Sequence, residues 1–350
     1  MLWNHTNRPR KIRFLLVSII FILTLSELVT AAIVFKSNRN GFSNIYVMND
    51  DGRHVKQLTH TPFWDTSPRW SPDGKQIAFI RDLRKTTGNG QQADIFIINA
   101  DGRNERRLTN YIENDADPSW SPDGKQIAFS RDSDIYIMEI ATRDIRQLTK
   151  NNIDEAYSSA PSWSPDGKQI VHEQVIKGGG RHIYITDVDG KNTRLFLKGK
   201  QPHFVGDTVI SRFAPQWAPN GQQVMYFEDH LRFEPAATLR LANHLIIVDK
   251  HGGNPKIQKI PENWMLGSAC WAANGTQILF SASPNRLLGK PILTPLKYDI
   301  YRYHISSGEI TQITDTPDHK DSAPNWAPHS LSVSPIGKLT TQWGGLKAEK

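Results

Sequence analysis

The sequence predicts an all-β protein, a six-bladed β-propeller of four-stranded antiparallel blades closed by pairing the C-terminal strand with three N-terminal strands. Three observations carry this prediction. The stretch WSPDGKQIAF at Trp70–Phe79 returns letter for letter at Trp120–Phe129, and in altered form from Trp163, Trp217, Trp271 and Trp326. The copies are spaced about 43–55 residues apart, the length of one blade. Between them, two shorter patterns recur in fixed order, one of the type DIYIM and one of the type RQLT.

Each element has a physical reason. Ser71-Pro72-Asp73-Gly74 is a turn, because proline pre-sets φ and glycine takes the left-handed conformation that follows a type I turn. Lys75–Phe79 then runs into a strand whose apolar end is continuous, as expected for a strand buried on both faces. Stacked blades bury both faces of each sheet. The tryptophan before the turn is large enough to fill the gap between blades. This predicts burial of Trp70, Trp120, Trp163, Trp217, Trp271 and Trp326. The DIYIM-type strands start at Asn44, Asp94, Asp134, His182, His244 and Asp299, and Asp-Gly turns follow several of them. The RQLT-type strands start at Val55, Glu105, Ile145, Thr193, Lys256 and Ile310. With the strand entering each tryptophan, this makes four strands per unit and six units.

The order of pieces predicts how the ring closes. The chain opens on three strands without a tryptophan strand and ends on a tryptophan strand without the other three. The turn glycine is kept in five copies. It is lost only in the last, where His329-Ser330 stands and no hairpin is needed.

Residues 1–31 read as a secretory signal peptide. Arg8, Arg10, Lys11 and Arg13 form a basic start, Phe14–Leu25 an apolar run too short for a membrane span, and Val29-Thr30-Ala31 a small-residue cleavage site. The domains are then 1–31 signal peptide, 32–330 propeller and 331–350 tail. The 350-residue chain has net charge +7, of which the leader carries +3. The mildly basic remainder gives no case for nucleic acid. A single cysteine, Cys270, cannot form an internal disulfide.

The repeat D-x-x-P-x-W-S-P-D-G-K-x-I-A-F, with I-Y-x-M, D-G and L-T after it, resembles the propeller repeat of the TolB family over residues 32–330. The resemblance implies a secreted or periplasmic, non-enzymatic propeller that acts as a protein-binding scaffold. The TolB N-terminal α/β domain has no counterpart between the leader and the first strand. No G-x-S-x-G elbow marks a hydrolase. The expected partner is another envelope or secreted protein, or an acidic glycan. The expected state is a monomer with no cofactor, no metal and no membrane span after cleavage. The alternative is a lyase-like, metal-assisted carbohydrate-active enzyme, with His60, His203, His230 and His319 gathered over the channel.

Long insertions fall on the face opposite the S-P-D-G turns, at 82–93, 173–181, 228–243 and 281–298. Loop length costs little entropy, so one-sided elaboration points to a binding face. Its aromatic and basic residues are the binding candidates: Trp64, Arg84, Tyr157, Arg181, Phe204, Arg232, Trp264 and Arg286. A second pattern reads as structural. Five residues before each tryptophan and two after each ten-residue stretch stand Asp65 with Arg81, Asp115 with Arg131, Ser158 with Gln174, Arg212 with Glu228, and Leu266 with Ala282. If Ser71 pairs with Lys75 around a three-residue loop, Asp65 faces Arg81. The exchanged charges at Arg212 and Glu228 favour ion pairs across strands over a ligand contact. In the last copy the pair is Asp321 with Arg39, expected in a different loop.

Overall fold

The computed structural model describes residues 29–83, 92–112, 114–151, 156–176, 180–200, 207–234, 237–284 and 296–333. These form six four-stranded antiparallel sheets. The chain begins with β1 (Val29–Asn40), β2 (Phe42–Asn49) and β3 (Lys56–Gln57). The first blade is β4 (Trp64–Trp70), β5 (Gln76–Asp82), β6 (Ala93–Asn99) and β7 (Arg106–Arg107). The second is β8 (Asp115–Trp120), β9 (Gln126–Arg131), β10 (Asp134–Glu139) and β11 (Ile145–Gln147). The third is β12 (Ala156–Trp163), β13 (Gln169–Ile176), β14 (Gly180–Asp187) and β15 (Thr193–Leu197). The fourth is β16 (Thr208–Trp217), β17 (Gln223–Glu234), β18 (Ala237–Asp249) and β19 (Lys256–Ile257). The fifth is β20 (Met265–Ala272), β21 (Gln277–Ser283), β22 (Asp299–His304) and β23 (Ile310–Gln312). Finally β24 (Asp321–Val333) lies beside β1, so the closing blade runs β24-β1-β2-β3. This sheet extends past the predicted domain limits of 32 and 330. Ala31 faces Leu331 and Val29 faces Val333, each strand satisfying the other's backbone groups.

The core sits between blades. Each of six apolar clusters joins residues of two neighbouring sheets. One combines Val34, Ile45 and Leu58 of the closing blade with Trp70, Ile77 and Phe79 of the first. Another combines Ile33, Phe35 and Met48 of the closing blade with Cys270, Leu279 and Ile300 of the fifth. The other four clusters bridge the remaining neighbours. Trp70, Trp120, Trp163 and Trp271 are buried. Trp217 and Trp326 are only partly so, packing against the margins of their clusters. The expected burial is complete at four positions and partial at Trp217 and Trp326. The Trp120 indole N–H donates to the Arg69 carbonyl of the preceding blade at 3.1 Å, and that of Trp271 to the Gln216 carbonyl at 3.3 Å.

The hairpin register differs in detail from the expectation. Ser71 N–H donates to the Gln76 carbonyl, not to Lys75, so four residues lie in the loop. Gly74 takes the left-handed conformation there, with φ of 67°. Trp70 faces Ile77 and Arg69 faces Ala78. A β-bulge then shifts the register by one. Ser67 sits at φ 52°, and Thr66 faces Ile80. Asp117, Ala160, Ala214 and Ala323 hold the same left-handed turn at the equivalent position of four other inner strands. The longer turn and the bulge offset each other, so Asp65 still faces Arg81.

In the third blade a histidine stands at the phenylalanine position of the repeat. This residue, His172, is 1% exposed and shares a hydrogen bond with Thr186 Oγ1 at 2.9 Å. Burial pushes its pKa down to about 4 from an ordinary 6.5. The neutral ring therefore contributes stability that is fully present above pH 6.5 and is lost as pH falls towards 4. The loss expected across that window is about 3 kcal/mol. His172→Tyr, the residue at the equivalent Tyr226, should remove this component from the pH dependence of urea unfolding. Equal slopes in the two proteins would refute it.

Candidate functional site

The inner strands β24, β4, β8, β12, β16 and β20 face the axis of the ring, and bulges re-aim their side chains at the long-loop end. There the paired positions form a belt. Arg81 donates Nε to Asp65 Oδ1 at 2.7 Å and Nη2 to Asp65 Oδ2 at 2.9 Å. Arg131 grips Asp115 in the same two-pronged way, at 2.6 and 2.7 Å. Arg212 Nε meets Glu228 Oε2 at 2.7 Å. Ser158 faces Gln174, and Leu266 faces Ala282. Arg39 reaches Asp321 with both oxygens within 3.1 Å, but from the end of β1 and not from a separate loop. Each of three arginines also lies over aromatic rings, Arg81 at 4.6 Å from the Phe96 centroid, Arg131 at 4.3 Å from Tyr111 and Arg39 at 4.9 Å from Tyr46. Asp65, Asp115 and Asp321 are 0% exposed and each is held by two arginine hydrogen bonds, so these three carboxylates are structural.

Inside this belt, between the fifth, closing and first blades, lies a cavity of about 570 Å³. Among the described residues two cations line it, Lys36 and Lys320, and no carboxylate does. Lys36 faces Ser322 across the β1–β24 ladder, and Lys320 lies two residues from Ser322, on the same face. Neither amine is engaged in an ion pair among the described residues. Burial, then the nearby Lys320 charge, hold the Lys36 amine below its ordinary pKa. The hydroxyls of Ser67 and Ser322 also line it, while Ser43 donates to the Asp65 carbonyl and Ser268 shares a hydrogen bond with Ser281, and Trp64, 55% exposed, stands at the rim.

The predicted binding residues do not converge. Arg84, Phe204 and Arg286 lie outside the described residues. Trp64 borders the cavity. Tyr157, on β12, is exposed in another blade. Arg181 is tied to Glu173 at 3.1 Å and Arg232 to Glu234 at 2.7 Å, so both cations are already neutralised. Trp264 is corrected from a binding residue to a core cap. It packs 4.6 Å from the Tyr301 ring centroid and against the cluster between the fourth and fifth blades, where its large apolar area is removed from water. Of the channel histidines, His203 lies outside the described residues. Among the described residues, the one group of three metal-capable side chains takes in His230 but neither His60 nor His319.

Sequence reasoning missed Lys36. The copies held the signal, because equivalent positions carry Ile80, Ser130, Glu173, Phe227 and Ser281, and Lys36 is the one cation in that ring.

Comparison with known proteins agrees with this architecture. The family model described as TolB beta propeller domain matches residues 83–238. No curated protein matches the sequence. TolB from Acinetobacter baumannii has a similar structure, with TM-score 0.60 and 18% identity, over 85% of this chain and 67% of that one. Putative TolB from Agrobacterium tumefaciens gives 0.55 and 16%, over 86% of this chain and 99% of the other. Hydrazine synthase from Kuenenia stuttgartiensis gives 0.62 and 16%, over 89% of this chain and 49% of its own. At such identities these structures speak for the fold alone. Together with the six-fold repeat and the family-model match over residues 83–238, they show that this chain has a TolB-like six-bladed β-propeller fold.

Proposed function

We propose that the protein is an exported, non-enzymatic binding propeller, secreted or periplasmic, whose channel mouth takes an acidic segment of another protein. The observation that carries this reading is the pair of lysines, Lys36 and Lys320, which have no ion-pair partner among the described residues and share a cavity whose described lining holds hydroxyls and no carboxylate. Two like charges facing one space are repulsive until an anion enters. A carboxylate there would gain charge-assisted hydrogen bonds from both amines and adjacent serines. Trp64 at the rim offers the large, rigid apolar surface typical of interface anchors. The basic and apolar leader supports export. No helix among the described residues is long and apolar enough to cross a membrane.

The test is capture of partners from envelope extract by the wild-type chain and by Lys36→Met/Trp64→Ala. The expected outcome is a partner held by the wild type, bound at least roughly 30-fold more weakly by the variant, and released by salt. Tyr157→Ser, at an exposed site in another blade, should leave it bound. A partner retained equally by all three proteins, or one that protects the S-P-D-G turn face from labelling, would overturn the reading.

A further inference from the structure

The fourth blade holds a second cluster, distinct from the channel cavity. Glu228 and His230 lie on β17 and His244 on β18. One oxygen of Glu228 and one ring nitrogen of each histidine lie within 4.8 Å of one another. We infer that Glu228, His230 and His244 form a binding site for a divalent transition-metal ion of the Zn²⁺ type.

Comparison among the blades carries the argument. The residue that opens the third strand of each blade is polar in all six, and in five it is hydrogen-bonded. Asn44, Asp94, Asp134 and Asp299 each accept from the side chain of the threonine at the end of the fourth strand. His182 Nδ1 accepts from Gly199 N–H at 2.7 Å. In the fourth blade the threonine is replaced by Lys259, and the His244 side chain makes no hydrogen bond among the described residues, with Nδ1 buried. A buried imidazole nitrogen without a partner is costly unless something else fills that role. Its neighbour is His230, ring centroids 5.5 Å apart and nearly perpendicular. Two imidazoles bound to one tetrahedral zinc would have centroids about 5 Å apart.

The third ligand is also prepared. Glu228 gives Oε2 to Arg212 at 2.7 Å and keeps Oε1 towards His230 at 2.9 Å. Arg212 thus fixes the carboxylate's orientation, in the way that outer partners orient metal ligands. This guanidinium is held on the far oxygen and by the Lys198 carbonyl. A point equidistant from three atoms so spaced lies within about 2.8 Å of each, so side-chain shifts of under about 1 Å reach the usual ligand distances of roughly 2.0–2.2 Å. His230 is 32% exposed, which leaves an entry path and a fourth position for water or an incoming ligand.

The experiment is calorimetric titration of the metal-free full chain with ZnCl₂, together with Co²⁺ loading followed by visible absorption. One ion per chain is expected, with the intense bands of tetrahedral Co²⁺. His244→Asn places the residue of the closing blade, Asn44, at this position and should bind roughly 100-fold more weakly. His230→Ala, at a partly exposed position, serves as the second variant should His244→Asn fail to fold. No saturable binding by the wild type, or binding unchanged in the variants, would overturn the inference.

Discussion

Alanine at Trp70 should lower the free energy of unfolding by about 3–5 kcal/mol, through lost transfer energy and the cavity left behind. The indole is 5% exposed and belongs to the cluster that joins the closing blade to the first. Neighbouring sheets are held by strands on both sides and cannot collapse into the void without opening the ring. The cost should therefore lie towards the upper end. Trp217→Ala provides the internal comparison. That residue is half-buried at the margin of its cluster, so less surface returns to water and the space is partly open to solvent already. Urea unfolding should rank Trp70→Ala well below Trp217→Ala in stability. Equal losses at both positions would show that the tryptophans do not act as inter-blade wedges.

The second large effect concerns a charge. Arg81→Met should destabilise the protein by about 3–5 kcal/mol, because it strands the Asp65 carboxylate in the interior. Asp65 is 0% exposed, and burial already pushes its carboxyl above the ordinary range against the pull of Arg81. Without the guanidinium it must take up a proton or open the hairpin to water. The fifth blade shows another solution at the same place, Leu266 facing Ala282. Installing that pair as Asp65→Leu/Arg81→Ala should recover most of the loss, since replacing a buried ion pair by apolar groups is often close to neutral. The cycle then yields a coupling of several kcal/mol between the two positions. Additive single effects would mean that the pair contributes little beyond its separate packing.

The fold was legible because one ten-residue unit states it six times. A turn, a strand buried on both faces and a wedge tryptophan together leave few other architectures. The register of the belt was legible for a less direct reason. The sequence suggests a three-residue loop where the chain makes a four-residue one, and the left-handed bulge at Ser67 restores the count. Nothing in a serine or alanine at that position announces a bulge, because the constraint comes from the curvature of the inner strand in the ring. The cavity was not legible. Lys36 and Lys320 stand at opposite ends of the chain and meet only through the β1–β24 ladder. Trp264 looks exposed in sequence because it stands in a connecting segment, and only the fold brings the rings of Phe280 and Tyr301 beside it. In sequence His244 reads as the start of a DIYIM-type strand. Its role depends on the missing hydroxyl at Lys259, a difference visible only when the six copies are set side by side.

Closure of the ring has a kinetic consequence. Five blades each form from one continuous stretch of chain, and their hairpins need only local search. The closing sheet must bring Arg39 to Asp321 across 282 positions. The entropy of joining such distant segments grows only slowly with their separation, so the finished seam need not be weak. The search for it is slow, because contacts far apart in sequence form late in folding. Until β24 docks, β1 and β20 each present a bare flank to other chains, and the danger of misassembly is concentrated in that interval. The lifetime of the folded ring is likewise set by how rarely this one seam parts.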